Sequence, residues 1–412
     1  MSAPPALTPR RELWLLLTLA GIQFTHILDF MVMMPLGPQF TQLFGISDAQ
    51  FGLLVSAYTF AAAISGLVAT TYIDRFSRKR LLLTLYLLFA VATLACGLAP
   101  NYPSLMAARI AAGLTGGVLA ALSQTIVGDV IPFERRGRAM GIVMSSFSLS
   151  TVAGVPISLF LAGALGWHAP FLAIALVSVL FAVFAALTLP VLDAHLLQAN
   201  RLSAWGGVKE VLRERNHWWA FGFSVLMMFA GFTIIPFITI YMQTNAGVRP
   251  DQVPYIYLFG GVATLVSAQV FGRMTDRHGK KETFRVLAVA LLVPMFAVAL
   301  MPRTALPVVL VATTLFFICM SGRMIPGMAI VTSAANPARR GAFMTLNASV
   351  QSAAMGAAAF TGGQIIGRDA NGLVQHYWGA ALVGAVASLL AVWLVGKLTL
   401  HGAAAPAKPA ST

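Results

Sequence analysis

Asp29, Arg109 and Arg323 are the charged residues that lie well inside long apolar stretches of this 412-residue chain. A fixed charge at the centre of a membrane helix costs about 2.5–3.5 kcal/mol on insertion scales, so each needs a partner or a wet cavity. Asp29 lies about ten residues before the end of one apolar run, and Arg109 about five after the start of another. If those ends face the same side, the two residues sit within one or two helical turns in depth and can pair. A carboxylate whose partner moves during a working cycle loads and releases protons. The alternative is a permanent ion pair that pins two helices. His26, one turn before Asp29 on the same face, can relay the proton or bind a substrate, or be a neutral histidine held by a neighbour. Arg323 is left without an evident acid, which points to backbone carbonyls, a watery vestibule or an anionic substrate group.

Further polar groups sit at helical spacing in the same runs: Gln23, Thr25, Tyr58, Gln124, Asn347 and Gln351. They are candidates for a substrate cavity, and each also suits a plain helix–helix hydrogen bond. No metal-ligand spacing, nucleotide loop or nucleophile constellation appears, so neither enzyme activity nor a metal or cofactor is expected. The proton is the expected coupling ion.

The elements that must position these residues follow from composition. Hydrophobic residues make up 58% of the chain and charged residues 10%, too few to cover a water-facing surface. A bilayer core needs about 20 helical residues. Apolar runs of that length occur at 13–39, 49–73, 81–99, 104–128, 138–164, 168–191, 217–243, 252–275, 283–301, 305–333, 341–367 and 374–398. Twelve membrane helices are therefore expected, numbered 1 to 12 in chain order. The tails at either end are short and Pro/Ala-rich, and the first run is too long for a cleaved signal peptide.

The net charge of +14 has a topological explanation. All but five of the basic residues fall on even-numbered connections and tails; the exceptions are Arg249, Arg303 and Arg368 on the other side and Arg109 and Arg323 in the membrane. That asymmetry puts both termini in the cytoplasm and makes a nucleic-acid partner unnecessary. The longest connection, residues 192–216, divides an N-terminal bundle, 1–191, from a C-terminal bundle and tail, 217–412. Within it Trp205, Val208, Val211 and Leu212 share one helical face, as in a short helix on the inner leaflet; a solvated linker is the alternative.

The two halves echo one another. Asp74-Arg75-Phe76-Ser77-Arg78-Lys79 after helix 2 matches Asp276-Arg277-His278-Gly279-Lys280-Lys281 after helix 8. Arg135-Arg136-Gly137 before helix 5 matches Arg339-Arg340-Gly341 before helix 11. Arg109-x-x-x-Gly113 in helix 4 resembles Arg323-x-x-x-Gly327 in helix 10. Repeats of this kind place a substrate site at their interface.

On these segments the chain resembles major facilitator superfamily transporters over its whole length. Its first loop motif departs from the usual pattern at Thr70 and Ser77. Within the superfamily it is most similar to bacterial twelve-helix drug:proton antiporters and sugar-efflux relatives. That similarity rests on Leu28-Asp29 with Pro38, on Arg109 to Gly113 with Ala112 in place of glutamine, and on Thr151-Val152-Ala153-Gly154-Val155-Pro156. The resemblance implies an all-α fold of two pseudo-symmetric six-helix bundles, a hinge at Gly154 and Pro156, and an inner latch of Asp74, Arg78 and Asp129 with the start of helix 11. The second half offers Asp276 and Lys280, with Ser333 in place of the third charge. The expected function is alternating-access, proton-coupled efflux of a small lipophilic molecule across the bacterial cytoplasmic (inner) membrane, by a monomer whose partners are lipid and substrate. An organic-anion or metabolite exchanger using Arg323, or a receptor that has lost transport, are the alternatives.

Overall fold

The computed structural model describes residues 9–131, 135–190, 193, 196, 204–336 and 339–401; the side chains of Pro9, Asp74, Arg136 and residues 204–207 lie outside the description. Among the described residues, twelve long helical segments follow one another. They are helix 1 (Pro9–Val32), helix 2 (Asp48–Tyr72), helix 3 (Arg78–Gly97), helix 4 (Tyr102–Val130), helix 5 (Arg136–Leu149, then Val155–Leu165) and helix 6 (His168–Thr188). The second half has helix 7 (Arg215–Phe232, then Ile238–Thr244), helix 8 (Val253–His278), helix 9 (Lys280–Ala290, then Leu292–Ala299), helix 10 (Leu306–Ala334), helix 11 (Arg340–Ile365) and helix 12 (Tyr377–Val395).

Eleven of the described helices are apolar and long enough to cross a bilayer on composition alone. Helix 11 has the length, 26 residues, but Gly, Ser, Thr, Asn and Gln lower its hydropathy. Small residues are what a helix needs when it packs closely on another, and helix 11 lies along helix 2.

The breaks fall where proline removes a backbone donor. Helix 1 ends at Val32 before Pro35, and a short helix, Gly37–Leu43, continues the chain. Helix 7 is interrupted around Pro236. In helix 5 a π turn, Ser150–Gly154, precedes Pro156, the rare geometry that re-routes a helix around a missing hydrogen bond. Helix 10 carries Pro326 inside a continuous helix. A two-stranded hairpin, Gly367–Arg368 with Val374–Gln375, joins helices 11 and 12. The sequence reading had continued helix 11 through 367, because two-residue strands leave no periodic signal.

Packing repeats between halves. In the first, helix 1 meets helices 5 and 6, helix 2 meets helix 4, and helix 3 meets helices 4 and 6; in the second, helices 7 to 12 repeat those pairs in the same order. Helix 2 packs on helix 11 and helix 5 on helix 8, joining the bundles. The hydrophobic core reports how they are joined. On the outer side one continuous cluster holds residues of both halves, among them Val32, Phe40, Phe51, Phe237, Ile240 and Tyr377. On the inner side there are two clusters, one made only of N-terminal residues and one only of C-terminal residues. The two bundles share one core at the odd-numbered connections, the expected outer side. They keep separate cores at the other end, where helix 2 still approaches helix 11 at Gly66 and Ser349.

The connecting helix Ala204–Arg213 forms, but its described contacts are with protein. Val211 is buried in the C-terminal core, and Arg339 Nε meets Glu210 Oε2 at 3.1 Å. His217 and Trp218 bond to the carbonyls of Val211 and Leu212. The helix docks on the second bundle; Trp205, the other apolar anchor expected, lies outside the described side chains.

Candidate functional site

Asp29 sits one turn before the end of helix 1, and Arg109 lies in the second turn of helix 4. Their side chains are fully buried and meet with Arg109 Nη1 donating to Asp29 Oδ2 at 2.8 Å. The Arg109 guanidinium carbon stands 4.4 Å from the centre of the Tyr58 ring, a cation–π contact. Helix 4 reaches helix 2 closely because it is glycine there. A Cβ at Gly113 would stand 2.2 Å from the Tyr58 carbonyl, and one at Gly116 within 2.8 Å of both the His26 ring and the Tyr58 hydroxyl. Glycine at 116 makes the room in which His26 and Tyr58 face the ion pair.

The cluster has more polar valence than partners. Tyr58 Oη, His26 Nδ1 and Gln23 Oε1 are buried atoms without a protein hydrogen-bond partner, and Thr93 and Cys96 border the ion pair. Gln23, His26 and Asp29 follow one another at three-residue spacing, so a ladder of polar atoms runs along one face of helix 1. Such a ladder suits proton movement. Thr25, one turn before Asp29, is satisfied by the Tyr86 hydroxyl at 2.8 Å.

The other cavity candidates do not join this cluster. Arg323 is fully buried; its Nη2 donates to the Met227 carbonyl at 2.7 Å and lies 3.2 Å from the Met320 sulfur, while Nε and Nη1 have no partner. Asn347 accepts from the Ser224 hydroxyl at 2.7 Å, tying helix 11 to helix 7. Gln351 contacts Met328, and Gln124 is exposed on helix 4. Arg323 and Asn347 therefore meet helix 7 one turn apart, as a second polar group in the other bundle.

Arg323 is also not the repeat partner of Arg109. Helices 4 and 10 are each 29 residues long, yet Arg109 lies seven residues past Tyr102 and Arg323 seventeen past Leu306. Ten residues is about 15 Å of depth, so that echo is one of residue type alone.

The loop echo does carry geometry. Arg78 Nε donates to Asp129 Oδ2 at 3.0 Å, joining the start of helix 3 to the end of helix 4. Lys280 Nζ donates to the Ser333 hydroxyl at 2.6 Å, joining helices 9 and 10 in the same way. The next basic residue repeats too: Lys79 Nζ donates to the carbonyls of Ala186 and Leu189, and Lys281 Nζ to that of Leu398. These lysines satisfy open carbonyls at the ends of helices 6 and 12. The sequence reading missed that role, although their adjacency to Arg78 and Lys280 in both halves was the available signal. Asp276 is exposed, and the Asp74 side chain lies outside the description. At the hinge, Gly154 lets helix 5 approach Leu28, and Ser150 Oγ donates to the Phe24 carbonyl.

Two pseudo-symmetric six-helix bundles, keeping separate cores at one end and enclosing buried ionisable groups, define a secondary transporter. The Major Facilitator Superfamily family model matches residues 19–359 and 220–411, and the chain belongs to that superfamily. Its fold and family are those of transporters working by alternating access, not of enzymes. Among curated relatives, the uncharacterized MFS-type transporter YbcL of Bacillus subtilis (strain 168) is 24% identical over 384 residues, covering 92% of this chain and 95% of that protein. YtbD of the same organism, also an uncharacterized MFS-type transporter, is 24% identical over 81% of this chain and 84% of its own length. Among solved structures, a D-xylose–proton symporter superposes with a TM-score of 0.74 at 18% identity, covering 93% of this chain and 97% of its own. A bacterial homolog of the human lysosomal transporter Spinster, inward-facing and occupied, gives 0.72 at 16% identity, covering 97% and 100%.

Proposed function

We propose that this chain is a proton-coupled exporter of small lipophilic molecules, with Asp29 as the proton carrier and Arg109 as its counter-charge. The observation that carries the reading is a fully buried carboxylate–guanidinium pair at 2.8 Å, since an ionisable pair sealed inside membrane helices marks a functional site by default. Protonating Asp29 removes the charge that holds Arg109. The guanidinium rests on Tyr58, Tyr58 stacks on Phe30 at 5.3 Å, and Phe30 meets Phe232 of the other bundle at 6.1 Å. Neutralisation at Asp29 thereby reaches the bundle interface through contiguous rings. His26 and Gln23 relay the proton along helix 1. Inward movement of one proton yields about 2.3 kcal/mol per 100 mV of membrane potential, which drives export if coupling holds.

The basic inner connections and the Bacillus relatives support placing the protein in a bacterial cytoplasmic membrane with both termini inside. Export from cells overproducing the protein, assayed against a broad compound panel, should collapse with an uncoupler and be lost in Asp29→Asn. Export that persists under the uncoupler would sink the proposal.

A second reading is favoured by the unpartnered Nε and Nη1 of buried Arg323: an organic-anion or metabolite exchanger that binds its substrate there. Binding of carboxylates in detergent would then be retained in part by Arg323→Lys and lost in Arg323→Ala at unchanged thermal stability. Equal loss of folded protein in both variants marks a structural arginine instead.

A further inference from the structure

On the outer face one ion pair crosses between the bundles. Arg368 Nε and Nη2 each donate to an oxygen of Asp48 at 2.8 Å, the two-pronged geometry in which guanidinium and carboxylate bind most strongly. Both residues are held on rigid supports. Asp48 opens helix 2, whose start is fixed by a reciprocal capping box between Ser47 and Gln50, and its negative charge suits that helix end. Its side chain is 2% exposed, that of Arg368 34%. Arg368 stands on the hairpin between helices 11 and 12. Asp369 shapes that hairpin by accepting from the backbone of Asn371 and Leu373. Asn245 of helix 7's end fastens it to the second bundle through two bonds with Val374.

Directly below the pair, helices 2 and 11 touch backbone to backbone. A Cβ at Gly52 would lie 2.9 Å from the Ala359 carbonyl, and one at Gly363 would lie 3.2 Å from the Asp48 carbonyl. Such close contact exists only while the outer ends of the two bundles are together. Opening the outer face must separate these glycines, and with them Asp48 from Arg368.

We propose that Asp48 and Arg368 form the outer gate latch of the transport cycle, an ion pair made in the outer-closed state and broken in the outer-open one. The proposal rests on alternating access alone. It stands or falls independently of whether Asp29 carries the proton.

The test places spin labels at Leu98 and Leu300, the exposed outer ends of helices 3 and 9 in opposite bundles. Cys319 is replaced by serine, and Cys96 is buried. Distance distributions are measured in lipid nanodiscs for the parent, Asp48→Asn, Arg368→Gln and the charge exchange Asp48→Arg with Arg368→Asp. Each single change should raise the ratio of long to short distances about three- to tenfold, as expected for a partly buried two-pronged pair. The exchange should bring the ratio back towards the parent value. Singles that keep the parent distribution while staying folded would overturn the latch. So would an exchange as shifted as the singles, or singles that only lower thermal stability. Transport measured on the same preparations shows separately whether cycling itself persists.

Discussion

At the scale of single residues, rarity carried the information. Asp29 and Arg109 were legible as partners because charges are scarce in apolar runs and depth can be counted along a helix. Burial then makes the pair consequential, since removing one member of a buried ion pair leaves the other uncompensated, at a cost of about 3–5 kcal/mol. Asp29→Asn should therefore lower thermal stability in detergent, and adding Arg109→Gln should recover much of that loss. A double variant no more stable than Asp29→Asn alone would mean that the two are not energetically coupled. The Asp48–Arg368 pair was illegible for the opposite reason. Both residues lie at the water boundary, where charges are ordinary, and 320 positions separate them. Gln23, Tyr58 and Asn347 were identified as cavity residues from polarity alone. Polarity does not say which way a side chain faces, and the fold turns these three into their own bundles, Asn347 onto Ser224.

At the scale of elements, length and hydropathy located the helices, and proline located most of their breaks. The hairpin at Gly367–Arg368 escaped because it has no sequence period of its own, whereas the interruption of helix 9 at Leu291 had a signal in Pro294, which cannot bond the Ala290 carbonyl. The repeat gave more than the helices did, since the loop motif predicts matched contacts. Arg78–Asp129 and Lys280–Ser333 are the same junction built with and without a second charge. Both bonds have a charged donor, but only Asp129 adds the attraction of an opposite charge, so Asp129→Ala should lower the unfolding temperature more than Ser333→Ala does. An equal or reversed order would argue that the junction works through packing. Helix 4 makes a sharper demand. Gly116→Ala forces a methyl group against the His26 ring and the Tyr58 hydroxyl and should cost about 1–3 kcal/mol by overpacking, with transport reduced in step. Unchanged stability and transport would show that helices 2 and 4 have slack at this level.

At the scale of the whole molecule, a core continuous outside and divided inside is one end of an alternating-access cycle. Composition and the spacing of apolar runs announced the bilayer and the succession of spans. They could not announce the conformation, which depends on how two separately stable bundles meet. Neither could they identify the substrate, because the groups that would touch it belong to both bundles and come together only in three dimensions. The proposed exchange of a proton for substrate at Asp29 draws together the buried pair, the ring contacts from Tyr58 to Phe232 and the divided inner core. Purified protein in liposomes loaded with an exported compound and a trapped pH-sensitive dye tests that exchange. As substrate leaves, the wild-type lumen should acidify in proportion. In Asp29→Asn, with folded yield matched, substrate exchange should continue while lumen pH stays constant. Acidification by Asp29→Asn in step with substrate movement would contradict the assignment and place the proton on another residue.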